Sequence, residues 1–434
     1  MQNKKWFKTI ISIFLALVMV ITLTPKSQAA EQLDFEAEFA AKARATEASE
    51  VLMEYFVQLG FYCDYPDYYA GCYIGDDCKF HVRLCSPTQD VLEMLTAMFE
   101  EYSDVIVYEN SDFSWSEMFE YVDTLANELI ELGYGITSWG VDDFTGSVAV
   151  EVLEEDLNEV RSMVEDQQTY AAGNSRPNII FREGEYAQSA SVPGTSNGNI
   201  LLCAFGDYDG NEAIVTCGHG GPSVGESFTF GNVSGYYVVQ QCSDDGTGDY
   251  AIGIITNNAT LSHKFGNSNI AMTGYAYSPV VGSDIRAYRS NGSIVQGTVL
   301  YKDFTAQTRI REQDGVREID LKNMTVVVID SGTVVYGDSG APCITYTSSF
   351  CGVLSSFKDV DGTVTRFYFT PNKVLRSAGF DVFAEHNTAT SWQPYDDDRH
   401  YGYCSSCQST VYEYHWEYWD ETTIPHCTRC GYVA

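Results

Sequence analysis

The chain changes its periodicity once, and that change limits what it can fold into. Up to about residue 170, apolar residues recur at helical spacing; from Asn199 to about Leu375 that spacing disappears. In its place stand short alternating runs, "EAIVT", "GYYVVQ", "YAIGII", "IVQGTVLY", "MTVVVID" and "RFYFT", separated by clusters of Gly, Asn, Asp and Ser. Many short strands at this spacing argue for an all-β barrel or sandwich. The stretches "AAGNSRPN" and "SVPGTSNGN" between the two regimes read as linker.

The first regime reads as helix, hairpin, helix, twice over. Residues 33–59 predict a helix with Val51, Leu52, Tyr55, Phe56 and Leu59 on one face and Gly60 ending it. "AGCYIGDDCKFHVRL" predicts a hairpin turning at Gly75-Asp76, and Ser86-Pro87 opens the next helix as cap and first-turn proline. Ser114 and Glu117 then form a capping box ahead of a stripe of Met118, Val122, Leu125, Leu129 and Leu132, stopped by Gly133. "ITSWGVDDFTGSVAVEV" is a second hairpin, turning between Asp142 and Gly146, and "LEEDLNEVRSMV" a closing helix.

Of the 434 residues, 44% are apolar, enough for more than one core. "MQNKKWFK", "TIISIFLALVMVITL" and "KSQAA" have the basic, apolar and small-residue layout of a secretory signal peptide, with cleavage near Ala29 or Ala30. Export makes disulfides stable. The 13 cysteines fall into three groups: Cys63, Cys72, Cys78 and Cys85; five from Cys203 to Cys351; and Cys404, Cys407, Cys427 and Cys430. The net charge of −35 argues against nucleic acid and anionic membrane as partners. Most of the excess lies in residues 31–175, with 32 acids against 5 bases on what read as solvated helix faces.

Within the β region, "VVYGDSGAPC" holds Ser339 between two glycines and beside Asp338. Alone, such a stretch marks an ordinary turn. A nucleophilic serine needs a base for its proton and backbone N–H groups aimed at the oxyanion, and a glycine-rich turn can present them. Two histidines lie in the same region. His219 ends an apolar strand beside glycines in "AIVTCGHGG", whereas His263 in "LSHKFG" reads as surface. Asp249 heads the apolar run in "GTGDYAIGII" and is the carboxylate to orient the imidazole.

These motifs, in this order, resemble those of the chymotrypsin-like serine peptidases, and among them the secreted bacterial streptogrisin and α-lytic group. "TCGHG", "GDYAIG" and "GDSGAP" are similar to that family's histidine, aspartate and serine motifs, with Ala341 where glycine is common. "VGSDIRAYRSNGSIVQGTV" resembles the opening of its second barrel, "GVLSS" its substrate strand, "FYFTPNKVL" its C-terminal stretch and "ITSWGVDDFTGSVAVEV" its pro-region. The resemblance implies that Ser339 attacks the peptide carbonyl, His219 carries the proton and Asp249 holds the ring. It implies an oxyanion hole of the Gly337 and Ser339 N–H groups, and an ion pair between the buried Asp338 and Arg289. It places Thr333 at the base of the primary pocket and Ser355, Ser356 and Phe357 along one wall. With no acid at Thr333, cleavage after Lys or Arg is not expected; a medium-sized apolar or aromatic residue is.

The cysteines depart from the family pattern. Gly220 follows the histidine where the family has cysteine, and Tyr288 and Gln296 occupy the positions of another bridge. A displaced Cys203–Cys217 bridge and a Cys343–Cys351 bridge across a short hairpin are expected, leaving Cys242 over. The first cysteine group receives no role. In the tail, Cys404-x-x-Cys407 and Cys427-x-x-Cys430, nineteen residues apart, suit a structural zinc ribbon or two disulfides. The aromatic "VYEYHWEYWD" between them is a small core or a surface for a wall or other extracellular component.

The resulting expectation is a multidomain chain. A signal peptide (1–30) precedes an α+β pro-region (31–175) and a processing linker (176–198). An all-β chymotrypsin-like double β-barrel (199–384), a linker (385–400) and a zinc-ribbon-like or disulfide-bonded tail (401–434) follow. The pro-region is expected to assist folding, because two barrels of non-local contacts fold slowly. Function reads as a secreted bacterial serine endopeptidase made as a precursor, acting on proteins or peptides without a catalytic cofactor. The alternatives are a catalytically silent binding module on the same scaffold and a peptidase that processes only itself.

Overall fold

The computed structural model describes residues 40–382, apart from 171–175, 190–200, 220–222, 245, 258–273, 290, 313–314 and 347, and the backbone of 393–394, 399–404 and 409–414. The first 39 residues, with the expected signal peptide, and most of the tail, with Cys407, Cys427 and Cys430, lie outside the described residues, as does His263.

The N-terminal part begins with helix α1 (40–58). Leu52 and Phe56 are buried on it, with Ala45, Ala48 and Met53, but Leu59 is 52% exposed. It lies past the last turn, where Gly60 at φ +89° already reverses the chain. Leu132 departs from its predicted stripe for the same reason, at the end of α3 (Trp115–Glu131). The hairpin of β1 (Tyr69–Ile74) and β2 (Phe80–Cys85) turns where the sequence predicts, and β3 (Ile106–Ser111) adds to β2 in parallel. Helix α2 (Gln89–Met98) starts later than expected: Thr88, not Ser86, caps it, accepting from the Val91 N–H. Ser86 takes a left-handed φ of +44°, which no helix start accommodates. On α3 the Ser114–Glu117 capping box is closed in both directions.

The second hairpin, β4 (Ile136–Asp142) and β5 (Ser147–Val152), is wholly buried and followed by α4 (Glu154–Tyr170) and β6 (Ile179–Glu183). It does not stay within the N-terminal part. Thr305 and Ala306 of β16 (Ile294–Glu312) pair with Trp139 and Ser138 of β4. The hairpin thus extends a twelve-stranded sheet built mainly from residues 284–371.

The β region forms two sheets. The first has six strands: β8 (Ala204–Tyr208), β9 (Asn211–Thr216), β10 (Ser227–Phe230), β11 (Val233–Gln241), β13 (Tyr250–Ile255) and β21 (Phe380–Val382), in the order β10-β11-β13-β9-β8-β21. The second carries β15 (Asp284–Tyr288), β16, β17 (Gly315–Ser331), β18 (Pro342–Thr345), β19 (Ser349–Val360) and β20 (Thr363–Pro371), with β4, β5, β6 and the short strands β7 (Ala187–Ser189), β12 (Gly246–Thr247) and β14 (Gly274–Tyr275). Each alternating run singled out in the sequence lies within one of these strands. β16 and β17 make one long hairpin whose register shifts between Tyr301 and Phe304. There Asp303 takes a φ of +53°, and Lys302 and Asp303 turn inward at 0% exposure.

The N-terminal part and the β sheets share cores as well as strands. Tyr277 and Val280 join the cluster built on α1, α3 and the first hairpin, while Tyr73 joins that of the second sheet. A buried polar network crosses the same boundary. The Tyr65 hydroxyl donates to Asp303 Oδ2 at 2.5 Å and accepts from Lys302 and Lys373 Nζ, each at 3.0 Å. Lys302 also pairs with Asp143 at 3.2 Å, and Lys373 with Asp303 at 2.6 Å. Two cations thus meet two carboxylates, the condition under which buried charge is tolerated.

Candidate active site

Three loops bring chemistry to the boundary between the two sheets. His219 follows β9 and Asp249 precedes β13, neighbouring strands of the first sheet. Ser339 lies in the turn between β17 and β18 of the second. The His219 Nε2 stands 2.8 Å from Ser339 Oγ, and its Nδ1 is hydrogen-bonded to Asp249 Oδ2. His219 is 3% exposed, and Asp249 and Ser339 are fully buried.

Asp249 is held by a complete set of donors. Its Oδ1 accepts the N–H groups of Gly218 and His219, both at 2.8 Å, which ties the carboxylate to the backbone beneath the ring. Its Oδ2 accepts from Ser355 Oγ at 2.5 Å as well as from the imidazole. Burial by itself would raise this carboxyl; the His219 ring, with hydrogen bonds from His219 and Ser355, outweighs it and holds the group below its ordinary range. Thr370 of β20 clasps the Asp249 backbone, its hydroxyl accepting from the N–H at 2.8 Å and donating to the C=O at 3.0 Å.

The serine turn is fixed from both sides. Arg289 Nε donates to Asp338 Oδ2 at 2.7 Å, and the same oxygen accepts the Val335 N–H at 2.8 Å. Asp338 is 1% exposed, so the guanidinium answers its charge inside the fold. Gly337 and Gly340 have φ of +97° and +84°, which favour glycine. At Gly340 a Cβ would also sit 2.4 Å from the Leu201 carbonyl oxygen. Among the described residues, no protein acceptor takes the Gly337 or Ser339 N–H.

Of the expected pocket residues, Thr333 departs from its expected place. Thr333 is exposed and its hydroxyl turns to the Val334 carbonyl; the adjacent Val334 is the buried residue, so Thr333 is not the floor of an enclosed pocket. The Ser355 hydroxyl donates to Asp249 Oδ2. Ser356 is fully buried, and Phe357, 2% exposed, meets the Tyr336 ring edge-on with centroids 5.2 Å apart.

The expected bridges are also absent. Cys203, Cys217, Cys343 and Cys351 are unbridged thiols, all buried in apolar clusters. There a thiol packs as a small hydrophobe, and burial pushes each well above its ordinary pKa. Cys242, left over in the sequence, lies within reach of Asp249; burial first and that carboxylate second push its thiol up. Ser355, Thr370 and Cys242 thus support the site without any motif announcing that role. Of the proposed tail ligands only the backbone of Cys404 is described.

No family model matches the chain, and no curated protein does either. Solved bacterial chymotrypsin-like serine proteases are similar to part of it. The Nocardiopsis protease NAPase is 21% identical, covering 42% of this chain and 90% of its own, with a TM-score of 0.34. Thermobifida fusca protease A is 18% identical, over 44% of this chain and 98% of its own, with a TM-score of 0.33. The Cellulomonas bogoriensis chymotrypsin is 18% identical, over 45% and 100%, with a TM-score of 0.33. Among the described residues, no helix is long and apolar enough to cross a membrane.

Proposed function

We propose that the chain is the precursor of an exported serine endopeptidase that works through an acyl-enzyme on Ser339. The observation that carries this reading is the hydrogen-bonded line Ser339 Oγ, His219 Nε2, His219 Nδ1, Asp249 Oδ2 across two sheets. As Ser339 attacks a peptide carbonyl, His219 takes its proton and Asp249 stabilises the imidazolium. The developing oxyanion meets the two N–H groups of Gly337 and Ser339; such a donor contributes about 3–4 kcal/mol to the transition state. The imidazolium then gives its proton to the leaving amine. A water, deprotonated by the same ring, releases the acyl group. No metal or organic cofactor enters these steps.

The remaining assignments follow the same reading. The first thirty residues direct export, residues 31–175 assist folding of the sheets, and the tail holds zinc or two disulfides. The sharing of β4 with the second sheet supports the folding role.

A fluorophosphonate probe tests the proposal. Labelling of the purified chain that is abolished by Ser339→Ala, together with cleavage of an added protein, is the expected result. Absence of labelling would leave a silent scaffold, and labelling without cleavage of any added substrate would leave an enzyme that acts only on itself.

A further inference from the structure

The turn of the second N-terminal hairpin and the register shift of β16 meet in the interior. Asp143, between β4 and β5, stands 3.2 Å by its Oδ2 from Lys302 Nζ. Asp303 Oδ2 lies 3.6 Å from the same nitrogen. All three residues are fully buried. Aromatic rings surround the ammonium, with centroids at 4.4 Å for Tyr65, 5.2 Å for Tyr69 and 5.7 Å for Trp115. The two carboxyl groups are held unlike each other. Asp303 accepts from Tyr65 and pairs with Lys373 of helix α5 (Asn372–Ser377) at 2.6 Å. Burial by itself would raise it, but Lys373 and Lys302 outweigh burial and hold it below its ordinary range. At Asp143 burial prevails over Lys302, and the carboxyl is pushed up. Its Oδ2 takes the Cys72 N–H at 3.3 Å, whereas its buried Oδ1 has no hydrogen-bond partner among the described residues. Neighbouring titratable groups pushed apart in this way are suited to opposite roles, one as acid and one as base.

We propose that Lys302 and Asp143 condense into a side-chain amide that joins the N-terminal part covalently to the second sheet. The reaction uses neither Ser339 nor His219 and goes beyond the peptidase reading. An amine and a carboxyl group are held side by side in a site closed to solvent, where fixed proximity replaces an encounter. Burial favours loss of the Lys302 proton, but Asp143 and Asp303 together hold it. The amine therefore becomes a nucleophile when that proton moves to the Asp143 carboxyl. Nζ then bonds to Asp143 Cγ, and the Cys72 N–H meets the charge that develops on Oδ2. Asp303 takes a second proton from the nitrogen and hands it to the departing Oδ1 hydroxyl. The Cγ–Oδ1 bond breaks, water leaves, and one hydrogen stays on the amide nitrogen. Ammonium and carboxylate have become amide and water, with nothing oxidised or reduced. The step is favoured because it removes two charges from an interior in which ions are costly. Lys373 and Asp303 stand closer, at 2.6 Å, but a carboxylate held ionised resists attack by an amine.

The test digests the full chain, purified and denatured, and maps its peptides by tandem mass spectrometry. The expected result is a branched peptide joining the Asp143 and Lys302 segments, lighter by one water than the two together. Ser339→Ala is expected to carry the same branch. A missing fluorophosphonate label thus bears on the peptidase reading alone, and a missing branch on the amide alone. Lys302→Arg keeps the positive charge without the amine and is expected to lack the branch. Asp303→Asn keeps the shape without the base and is expected to form it at least about a hundredfold more slowly, the scale of general acid–base catalysis. An unchanged rate in Asp303→Asn overturns its part as proton carrier. The wild type decides the amide by itself, so a variant that fails to fold does not blunt the test. Wild-type protein that melts cooperatively yet yields only separate Asp143 and Lys302 peptides overturns the proposal, as does a branch through Lys373 instead.

Discussion

At the scale of single residues, the proposed chemistry depends on groups that hold the charged members of the site in place. Ser355 is one of four donors to Asp249. Ser355→Ala removes one of the hydrogen bonds that hold this carboxyl below its ordinary range. We expect kcat/KM to fall about tenfold, the scale of one hydrogen bond to a charged group. A merely structural role for Ser355 would lower the Tm and leave kcat/KM of the folded protein unchanged. Arg289→Ala strands the Asp338 carboxylate, 1% exposed in the Ser339 turn. Such a deletion costs about 3–5 kcal/mol in other proteins, and here it is expected to reduce kcat more than it raises KM. Unaltered turnover in steady-state kinetics would separate the ion pair from the chemistry.

At the scale of elements, α1 carries a group whose titration opposes folding at neutral pH. Glu50 is pushed up to about 7, first by burial and then by Glu47 and Glu54, and its Oε1 has no hydrogen-bond partner. Its folded pKa lies above the ordinary carboxylate value, so its contribution is full below about pH 4.5 and lost as pH rises through about 7. Glu50→Gln is expected to raise the Tm at pH 8 and change little at pH 5, which thermal melts at the two values would decide. Asp249 has the opposite sign: its folded pKa is depressed, so its contribution stands above the ordinary value of 3.8 and disappears as pH falls through the lower folded one. The elements themselves were largely legible. Capping box, stripe and hairpin turns are local patterns, each satisfied within a few residues. The misplaced cap at Ser86 shows the limit, because a left-handed φ is imposed by how the chain must leave β2.

At the scale of the whole molecule, the N-terminal part is tied to the sheets by strand addition at β4–β16, shared cores, and the network around Tyr65. Tyr65→Phe removes one donor and one acceptor, leaving Asp303, Lys302 and Lys373 each short of a partner at no more than 3% exposure. An unsatisfied buried group costs about 1–3 kcal/mol, more when it is charged. A denaturant titration of the full chain should show a lower midpoint for Tyr65→Phe, and no shift would mean that water or neighbouring groups take the hydroxyl's place. Nothing in the sequence marks Tyr65 or Lys302, because their partners lie 238 and 159 residues away.

The sequence by itself determined the two periodic regimes, the strands and the helix caps at Ser114 and Gly133, which are written in spacing over a few residues, where side-chain geometry follows backbone period. It offered Ser339, His219 and Asp249 only through the order of three distant motifs and their resemblance to those of a known family. Only the tertiary structure decided that His219 and Ser339, 120 residues apart, come within 2.8 Å. It also decided that four expected disulfide cysteines pack as thiols, that Ser355 serves Asp249, and that β7 occupies the edge of β19. Those outcomes depend on which surfaces are buried against each other, and burial sets hydrogen-bond partners and charge compensation that no local pattern encodes.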